Sequence, residues 1–227
     1  MKIDISGTAP VVDKRVTLYK FMEARYAMEA FEALKLKVSQ PENLNDPYEV
    51  NPVPQLGLGL KVIKEFLRVG QARTAFCEKF GIISFSAVCN DPVLWAHYAD
   101  NFKGIALEFK WPANANLIKV VYQPDRPTVQ PATGMPLTVA RELIKTKWES
   151  WRYENEYRLL CELSGCSTND GHFFKSFAPT MLARVILGYK CTTSPVYIKK
   201  AFVCRGLSHV TVANAVLSRR TYRIEVQ

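Results

Sequence analysis

The segment Trp151 to Arg158, WRYENEYR, brings two carboxylates and two guanidiniums within eight residues. If the segment is a β-strand, alternation puts its four charged side chains on one face: Arg152, Glu154, Glu156 and Arg158. Such a face offers carboxylates for acid–base or charge-stabilising chemistry, with guanidiniums that keep them ionised. The structural alternative is a solvated strand whose ion pairs contribute at most about 1 kcal/mol each.

Three further polar and aromatic clusters lie along the chain. They are Tyr19-Lys20; Asn45-Asp46-Pro47 with Glu49; and Ser84-Phe85-Ser86 followed by Trp95, His97 and Tyr98. A buried Trp or Tyr usually belongs to a core, and Asn-Asp-Pro is usually a turn. Each cluster taken alone is therefore expected to be structural, and a functional interpretation needs them to occur together.

Composition places the 227 residues among ordinary globular proteins, with 48% hydrophobic and 22% charged residues. The N-terminal segment MKIDISGTAPVVDKR has no apolar core and no cleavage site, and no window of eighteen uncharged apolar residues follows. We therefore expect a cytoplasmic protein without a membrane span. The six cysteines form no CxxC pair and are expected to be reduced thiols rather than a zinc site.

The net charge of +9 is concentrated near the C-terminus. From Lys175 onward the chain has nine basic residues and one acidic residue, Glu225, so this segment carries nine minus one, or +8. They are Lys175, Arg184, Lys190, Lys199, Lys200, Arg205, Arg219, Arg220 and Arg223. The region is either a solvated basic face or a surface for an anionic partner, such as nucleic acid or an acidic protein.

Hydrophobic periodicity predicts a single α+β domain over residues 1–227, with mixed, mostly antiparallel sheet and flanking helices. Strands are expected at 17–21, 34–40, 81–88, 104–111, 153–163, 183–189, 209–216 and 222–226. Helices are expected near 25–34, 58–69, from 91, at 139–151 and from 194. Segments 42–49 and 165–172 are expected to be a turn and a loop, and a Pro-rich loop at 124–136 divides the domain into two halves.

The clusters also resemble, in order and over nearly the whole chain, a bacterial family known as a domain of unknown function. The matching runs are LYKF, SQPENLNDPYE, ISFS, DPVLWAHYADNFKGIALEF, VVY, KTKWESWRYENEYR and VILG. The family includes AbiGi-like abortive-infection proteins, so the resemblance implies a role in phage defence. It does not supply a reaction.

A second resemblance is to the ADP-ribosyltransferase fold. Its arginine-glutamate class has, in order, a basic residue on a first strand, a Ser-x-Ser strand and a Glu-x-Glu strand. Lys20, Ser84-Phe85-Ser86 and Glu154-Asn155-Glu156 follow this order, with Lys in place of Arg. The long spacing from Ser86 to Glu154 would contain the Pro-rich loop and a helix as an insertion.

This second resemblance implies NAD as a substrate. Glu156 would stabilise the oxocarbenium-like ribose, and Glu154 would position or deprotonate an acceptor. The residues expected around the NAD are Tyr19, Lys20, Asn45, Asp46, Ser84, Ser86, Trp95, His97, Tyr98 and Arg158. Of these, Lys20 would contact a phosphate. One of Tyr19, Trp95 and Tyr98 would stack on the nicotinamide or adenine ring. His97 would donate a hydrogen bond to a ribose hydroxyl, and Ser84 would support Glu156. A cleft should then bring together Lys20, Asn45, Ser84, His97 and Glu156.

Two other functions stay open. Glu108-Phe109-Lys110 has the Glu-x-Lys pattern of metal-dependent nucleases, with further magnesium ligands expected among Asp46, Glu49, Asp91 and Asp100. The resemblance to abortive-infection proteins also allows a binding module without catalysis, whose basic surface holds DNA or a cognate toxin or antitoxin.

Overall fold

The computed structural model describes residues 15–54, 70–71, 73–113, 116–129 and 137–227. Its helices are α1 (Ala24–Ala33), α2 (Pro92–Tyr98), α3 (Leu137–Lys145) and α4 (Pro195–Val203), and residues 73–77 are also helical. Its strands are β1 (Arg15–Met22), β2 (Lys35–Val38), β3 (Val53–Pro54), β4 (Phe80–Ser86), β5 (Ile105–Pro112), β6 (Leu117–Lys119), β7 (Val121–Gln123), β8 (Thr128–Val129), β9 (Thr146–Trp148), β10 (Glu156–Glu162), β11 (Ser167–Asn169), β12 (His172–Ser176), β13 (Leu182–Leu187), β14 (Thr211–Leu217) and β15 (Ile224–Val226). The helix predicted at 58–69 lies outside the described residues.

The main sheet has eight strands in the order β15-β14-β13-β5-β1-β4-β10-β6. Its neighbours are antiparallel except β13 and β14, which α4 connects as a parallel pair. A smaller sheet has the order β11-β12-β2, and two parallel pairs join β3 to β8 and β7 to β9. The predicted α+β class with mostly antiparallel sheet is confirmed, whereas the single domain divided at 124–136 stays a prediction.

The main sheet opens between β1 and β4. β1 pairs with β5 along its whole length, and β4 pairs with β10 in the same way. In contrast, β1 and β4 are paired at a single position, Tyr19 opposite Ser86. Nearer its N-terminal end, β4 pairs instead with Ser39, which exchanges two backbone hydrogen bonds with Ile82. The divergence leaves a cleft between two central strands.

Both faces of the main sheet are covered. One face packs against α1 and α4 in a large apolar core that includes Phe31 and Phe202. The other face carries two smaller apolar clusters, one under α2 around Trp95 and one beside α3 around Leu143. Residues of β4 and β10 on this second face pair across the sheet as Ile82 with Leu160, Ser84 with Arg158, and Ser86 with Glu156. Their polar members therefore lie between the two apolar clusters.

The prediction of one helix over 139–151 is wrong in its second half. Helix α3 ends at Lys145, and β9 then pairs in parallel with β7, with Lys147 opposite Tyr122. Residues Glu149–Glu154 form a 3-10 helix that ends at Asn155 in the left-handed conformation, and β10 begins only at Glu156. Pairing with β7 supplies backbone partners that outweigh the helical periodicity of this segment.

The predicted loop at 165–172 is instead a hairpin of β11 and β12. Asp170 and Gly171, at its tip, have φ angles of 46° and 73°. Two consecutive residues with positive φ are typical of the two-residue hairpin turn for which Asp-Gly is a strong signal. The dipeptide Asp170-Gly171 is present in the sequence, so the hairpin is predictable from it and the prediction of a loop is wrong.

The structure also bears on two expectations from composition, which concern the cysteines and membrane-spanning helices. All six cysteines are free thiols, of which Cys77 and Cys161 are buried and Cys204 is exposed. Among the described helices, none has the length and apolar character needed to cross a membrane.

Gly81→Ala should destabilise the region where β4 leaves β1. A Cβ at this position would lie 2.5 Å from Val38 Cγ1 and 2.9 Å from the Ser39 carbonyl oxygen. We expect a loss of about 1–3 kcal/mol in the free energy of unfolding, measured by urea titration. The control is Gly165→Ala, where a Cβ meets nothing within 4 Å. Equal stability of the two variants would contradict the close packing of β4 on β2.

Candidate functional site

A buried guanidinium holds the second glutamate of the Glu-x-Glu segment. Arg158 Nε donates to Glu156 Oε1 at 2.8 Å, and Nη2 donates to Oε2 at 2.7 Å. Arg158 Nη1 donates to the carbonyl of Ile144 at 2.8 Å, and Nη2 also contacts the carboxylate of Glu49. This bidentate geometry fixes the orientation of Glu156 as well as its charge.

Lys147 joins the three buried carboxylates. Its Nζ lies 2.7 Å from Glu154, 2.9 Å from Glu49 and 3.4 Å from Glu156. All these side chains are almost completely buried. The cluster therefore contains three carboxylates and two cations, supplied by the turn after Asn45, by β9, by the 3-10 helix and by β10.

The two glutamates of the Glu-x-Glu segment have opposite pKa shifts. Burial raises the pKa of Glu154, and Glu156 adds to that rise against the opposing effect of Lys147. Burial acts on Glu156 in the same direction, but Arg158, Lys147 and a hydrogen bond from Ser84 outweigh it and lower its pKa to about 2. Neighbouring carboxyl groups whose pKa values are shifted in opposite directions are typical of acid–base sites. The group with the raised pKa, here Glu154, can exchange a proton, and the group with the lowered pKa, here Glu156, stays ionised.

A cavity of about 250 Å³ lies where the sheet opens, and both glutamates line it. Lys20 enters it from β1, and its Nζ donates to the Ser84 carbonyl at 2.9 Å, an oxygen that β1 does not pair. Burial lowers the pKa of Lys20 to about 8, although Glu156 favours the charged form. With Glu49 and Lys147 also in its lining, the cavity places two ammonium groups and three carboxyl groups around one space.

The loop after β2 and helix α2 close the other side of this cavity. Tyr98 on α2 donates a hydrogen bond to Glu154 and accepts one from the Asn45 amide at 2.9 Å. Burial and the Glu154 charge raise the pKa of Tyr98, so its hydroxyl stays protonated. The Ser86 hydroxyl donates to the backbone carbonyl of Glu154 at 2.6 Å. Tyr98 and Ser86, from one predicted cluster, thus contact Glu154 directly, and Asn45, from another, is connected to it through Tyr98.

Eight of the predicted site residues therefore line one cavity: Tyr19, Lys20, Asn45, Ser84, Ser86, Tyr98, Glu154 and Glu156. Arg158 lies beneath it and holds Glu156. Asp46 lines a second cavity of about 220 Å³ on the far side of Lys147 and Glu49. The clusters predicted to act together do converge, except for the residues described next.

Three expectations fail. Trp95 is completely buried, and its indole Nε1 donates to the Cys89 carbonyl at 2.7 Å, so it cannot stack on a ligand. His97 is exposed on α2, 3.1 Å from the Tyr153 hydroxyl, and does not line the cavity with Lys20 and Glu156. Arg152 does not share a face with the glutamates, because the 3-10 helix turns it onto Tyr122, 5.7 Å from the ring centroid.

Three residues of the site have no role in it in the sequence analysis. Lys147 lies in a predicted helix, and Glu49 is grouped with Asn45-Asp46-Pro47 and with the candidate magnesium ligands but not with the glutamates. Tyr122 accepts a hydrogen bond from the backbone N–H of Glu156 at 2.8 Å, and burial raises its pKa to about 12. The available signal was weak: an acidic residue two positions after Asp-Pro, and a lysine within the segment that has helical periodicity.

The segment Glu108 to Lys110, which has the nuclease pattern, lies in a different environment from the glutamates around Lys147 and Arg158. Glu108 forms ion pairs with Lys110 and Arg184, each at 3.3 Å, and Lys110 also donates to Thr17. Within the part of the chain that the structure describes, no group of three His, Cys, Asp or Glu side chains is placed to hold a metal ion. Glu108 thus pairs with Lys110 on its own strand, β5, and with Arg184 on the neighbouring strand β13.

Six of the nine basic C-terminal residues form two exposed groups. Lys199, Lys200 and Arg205 are on and after α4, and three arginines surround Tyr222 at the turn between β14 and β15. Tyr222 is 100% exposed, and Arg219, Arg220 and Arg223 form no ion pair with any described residue. This turn offers three free cations and one free aromatic ring.

The chain matches no family model, no curated protein and no solved structure. A function therefore has to follow from the geometry of these residues.

Glu156→Gln should change the acid stability of the protein. Because the pKa of Glu156 is lowered from 4.5 to about 2 on folding, its stabilising effect is present above about pH 4.5 and is lost as the pH falls toward 2. The variant should lose about 3 kcal/mol at pH 7, since Arg158 loses its main partner, and should depend less on pH between 5 and 3. Urea titrations across this range measure both effects.

The control for this experiment is Glu162→Gln, an exposed glutamate on the same strand. It should follow the wild type at every pH. A Glu156→Gln variant with the wild-type pH dependence would contradict the ionised state of Glu156.

Proposed function

We propose that the chain cleaves NAD between nicotinamide and ribose and transfers the ADP-ribose to an acceptor. The observation that carries this proposal is the neighbouring position of β1, β4 and β10, which brings Lys20, Ser84 and the two glutamates to one cavity. β1 carries Lys20, β4 carries the Ser-x-Ser segment and β10 begins with Glu156, while Glu154 lies at the end of the preceding 3-10 helix. This chain order is the one that the resemblance to the ADP-ribosyltransferase fold implies.

Glu156 would act on the ribose. As the C1′–N bond breaks, nicotinamide leaves with the bonding electron pair as a neutral ring, and positive charge develops on the ribose. A carboxylate that stays ionised stabilises that charge, and its fixed position requires no reorganisation during the reaction. Arg158 supplies both the position and the low pKa.

Glu154 would act on the acceptor. Its raised pKa makes it able to take a proton from an attacking hydroxyl or amine while the new bond to C1′ forms. Tyr98 and Lys147 hold its two oxygens on opposite sides. The positive charge that begins on the nicotinamide ring of NAD thus passes to the ribose and ends as the acceptor's proton on Glu154.

The dimensions of the cavity suggest how NAD would lie. About 250 Å³ is less than the roughly 300–1,000 Å³ of pockets for drug-sized ligands, so it suits the nicotinamide riboside end alone. A groove of about 1230 Å³ between α1 and the small sheet shares Lys20, Phe21 and Ser39 with it. Lys20 would meet the phosphates at the junction, with the adenosine in the groove.

A binding module is the second candidate, and one observation favours it. Both oxygens of Glu156 already accept hydrogen bonds from Arg158, as they would in a purely structural ion pair. In that case the basic turn and α4 would contact a cognate toxin, antitoxin or nucleic acid. A role in phage defence rests on the sequence resemblance and stays a prediction for either function.

Wild-type protein should release nicotinamide from NAD, and Glu156→Gln should lower the rate by at least about 100-fold, because the ribose cation loses its carboxylate. Glu154→Gln should lower transfer to an added acceptor more than it lowers hydrolysis. Chromatography of nicotinamide and of labelled ADP-ribose measures the two steps.

Glu162→Gln is the matched control and should keep the wild-type rate, and circular dichroism should show that each variant is folded. If the wild type neither releases nicotinamide nor binds NAD by calorimetry, the binding module becomes the better account. A folded Glu156→Gln variant with full activity would contradict the role of Glu156.

We further propose that the acceptor is nucleic acid held in part by the basic turn. Replacing Arg219, Arg220 and Arg223 with Gln should weaken binding of a single-stranded oligonucleotide. It should also reduce the slope of log K against log salt by about 2, since each phosphate contact contributes about 0.7. Fluorescence anisotropy at several salt concentrations measures this.

The control removes equal charge from exposed lysines elsewhere, at Lys79, Lys103 and Lys119. An equal loss of affinity in both triple variants would show that net charge, and not the turn, binds the oligonucleotide.

A further inference from the structure

The second cavity has no role in NAD cleavage as proposed above. It encloses about 220 Å³ and is lined by the turn after Asn45, the segment Gln123 to Pro127, and β9. Its floor is the ion pair of Lys147 with Glu49, which also lines the first cavity. The two cavities are therefore separated by the buried charge cluster.

Two aromatic side chains that line this cavity are more than half exposed to solvent. Tyr48 is 59% exposed and Trp148 is 53% exposed. No other aromatic ring of the described residues contacts Trp148. Large aromatic side chains usually bury most of their area, so two exposed rings at one concave site indicate a planar ligand.

The polar groups of the cavity are fixed in place. Arg126 lies over the Tyr48 ring at 5.4 Å and donates to the Asn51 carbonyl at 3.0 and 2.8 Å from its Nε and Nη2. Asp46 is almost completely buried, and its Oδ1 accepts a hydrogen bond from the Tyr48 backbone at 2.9 Å. No other described residue donates a hydrogen bond to its carboxylate. A carboxylate beside aromatic rings suits a flat heterocycle that carries N–H donors.

The position of the cavity indicates whether the heterocycle would be part of the acceptor or of NAD. Lys147 forms its floor and lies 2.7 Å from Glu154, the group assigned to the acceptor. The NAD molecule, by contrast, would extend away from this side, through Lys20 into the groove along α1. The volume suits one ring system and not a whole dinucleotide.

We propose that this cavity binds a purine base of the nucleic-acid acceptor, with Tyr48 and Trp148 against its ring and Asp46 accepting its N–H groups. Guanine fits best, because its N1–H and its amino group point the same way and can both donate to one carboxylate. The inference rests on the proposed function for its acceptor, but the binding itself does not require NAD cleavage.

The test uses the full chain and guanosine, an uncharged nucleoside that does not respond to the basic surfaces. Guanosine should quench the tryptophan fluorescence in a saturable way, and Trp148→Phe should remove most of the quenching. Tyr48→Ala and Asp46→Asn should each weaken guanosine binding about tenfold, as expected for a lost stacking ring or a lost acceptor. Uridine and ribose should bind more weakly than guanosine.

Tyr197→Ala is the matched control, because Tyr197 is 58% exposed on α4, away from the cavity. It should bind guanosine as the wild type does. Guanosine binding that survives in a wild type unable to release nicotinamide would keep the base site and reject the transferase. Absence of saturable quenching, equal affinities in Tyr48→Ala and Tyr197→Ala, or competition of NAD for the guanosine site would overturn the proposal.

Discussion

The structure depends on the buried cluster in which Lys147 and Arg158 hold Glu49, Glu154 and Glu156. Removing one of these charges from water costs several kcal/mol, and the cost is offset only if each charge has well-placed partners. Those partners come from segments far apart in the sequence: the turn after Asn45, β9 and β10. Each segment must therefore adopt one conformation for the charges to be satisfied, and the cluster selects the β7–β9 pairing over a longer helix. We infer that the cluster contributes to the uniqueness of the fold more than to its net stability.

The opening of the main sheet turns this cluster into a candidate site. If β1 and β4 paired throughout, ladder hydrogen bonds would occupy the space that Lys20 now enters, and the glutamates would lie under a closed sheet. Because pairing stops after Tyr19 and Ser86, one backbone oxygen is free for Lys20, and both glutamates reach a cavity. The same cluster is thus structural on its inner side, through Arg158, and accessible on its outer side, through Glu154.

The sequence predicted most of the elements and much of the cavity lining, because β1, β4, β5 and α2 have clear periodicity and capping. The Asp91 side chain, for example, caps α2 as expected by accepting from the Val93 N–H at 2.8 Å. What the sequence could not show was long-range. The end of α3 is decided by pairing with β7, about twenty-five residues away, and local propensity contains no trace of it. Lys147 was missed for that reason, and Glu49 was misassigned because its partners come from β9 and β10.

The charges of the site also suggest how its parts are coupled. Three carboxylates face Lys147 and Arg158, so the cluster is balanced either when Lys20 is charged or when Glu154 is protonated. The lowered pKa of Lys20 and the raised pKa of Glu154 bring these two states closer in free energy. A phosphate bound next to Lys20 would hold that lysine in its charged form, whereas a cationic ring bound beside the glutamates would favour the ionised form of Glu154. The protonation of Glu154 would in this way depend on which charged groups of a ligand occupy the two ends of the cavity, because Lys20 and Glu154 belong to one set of coupled titrating groups.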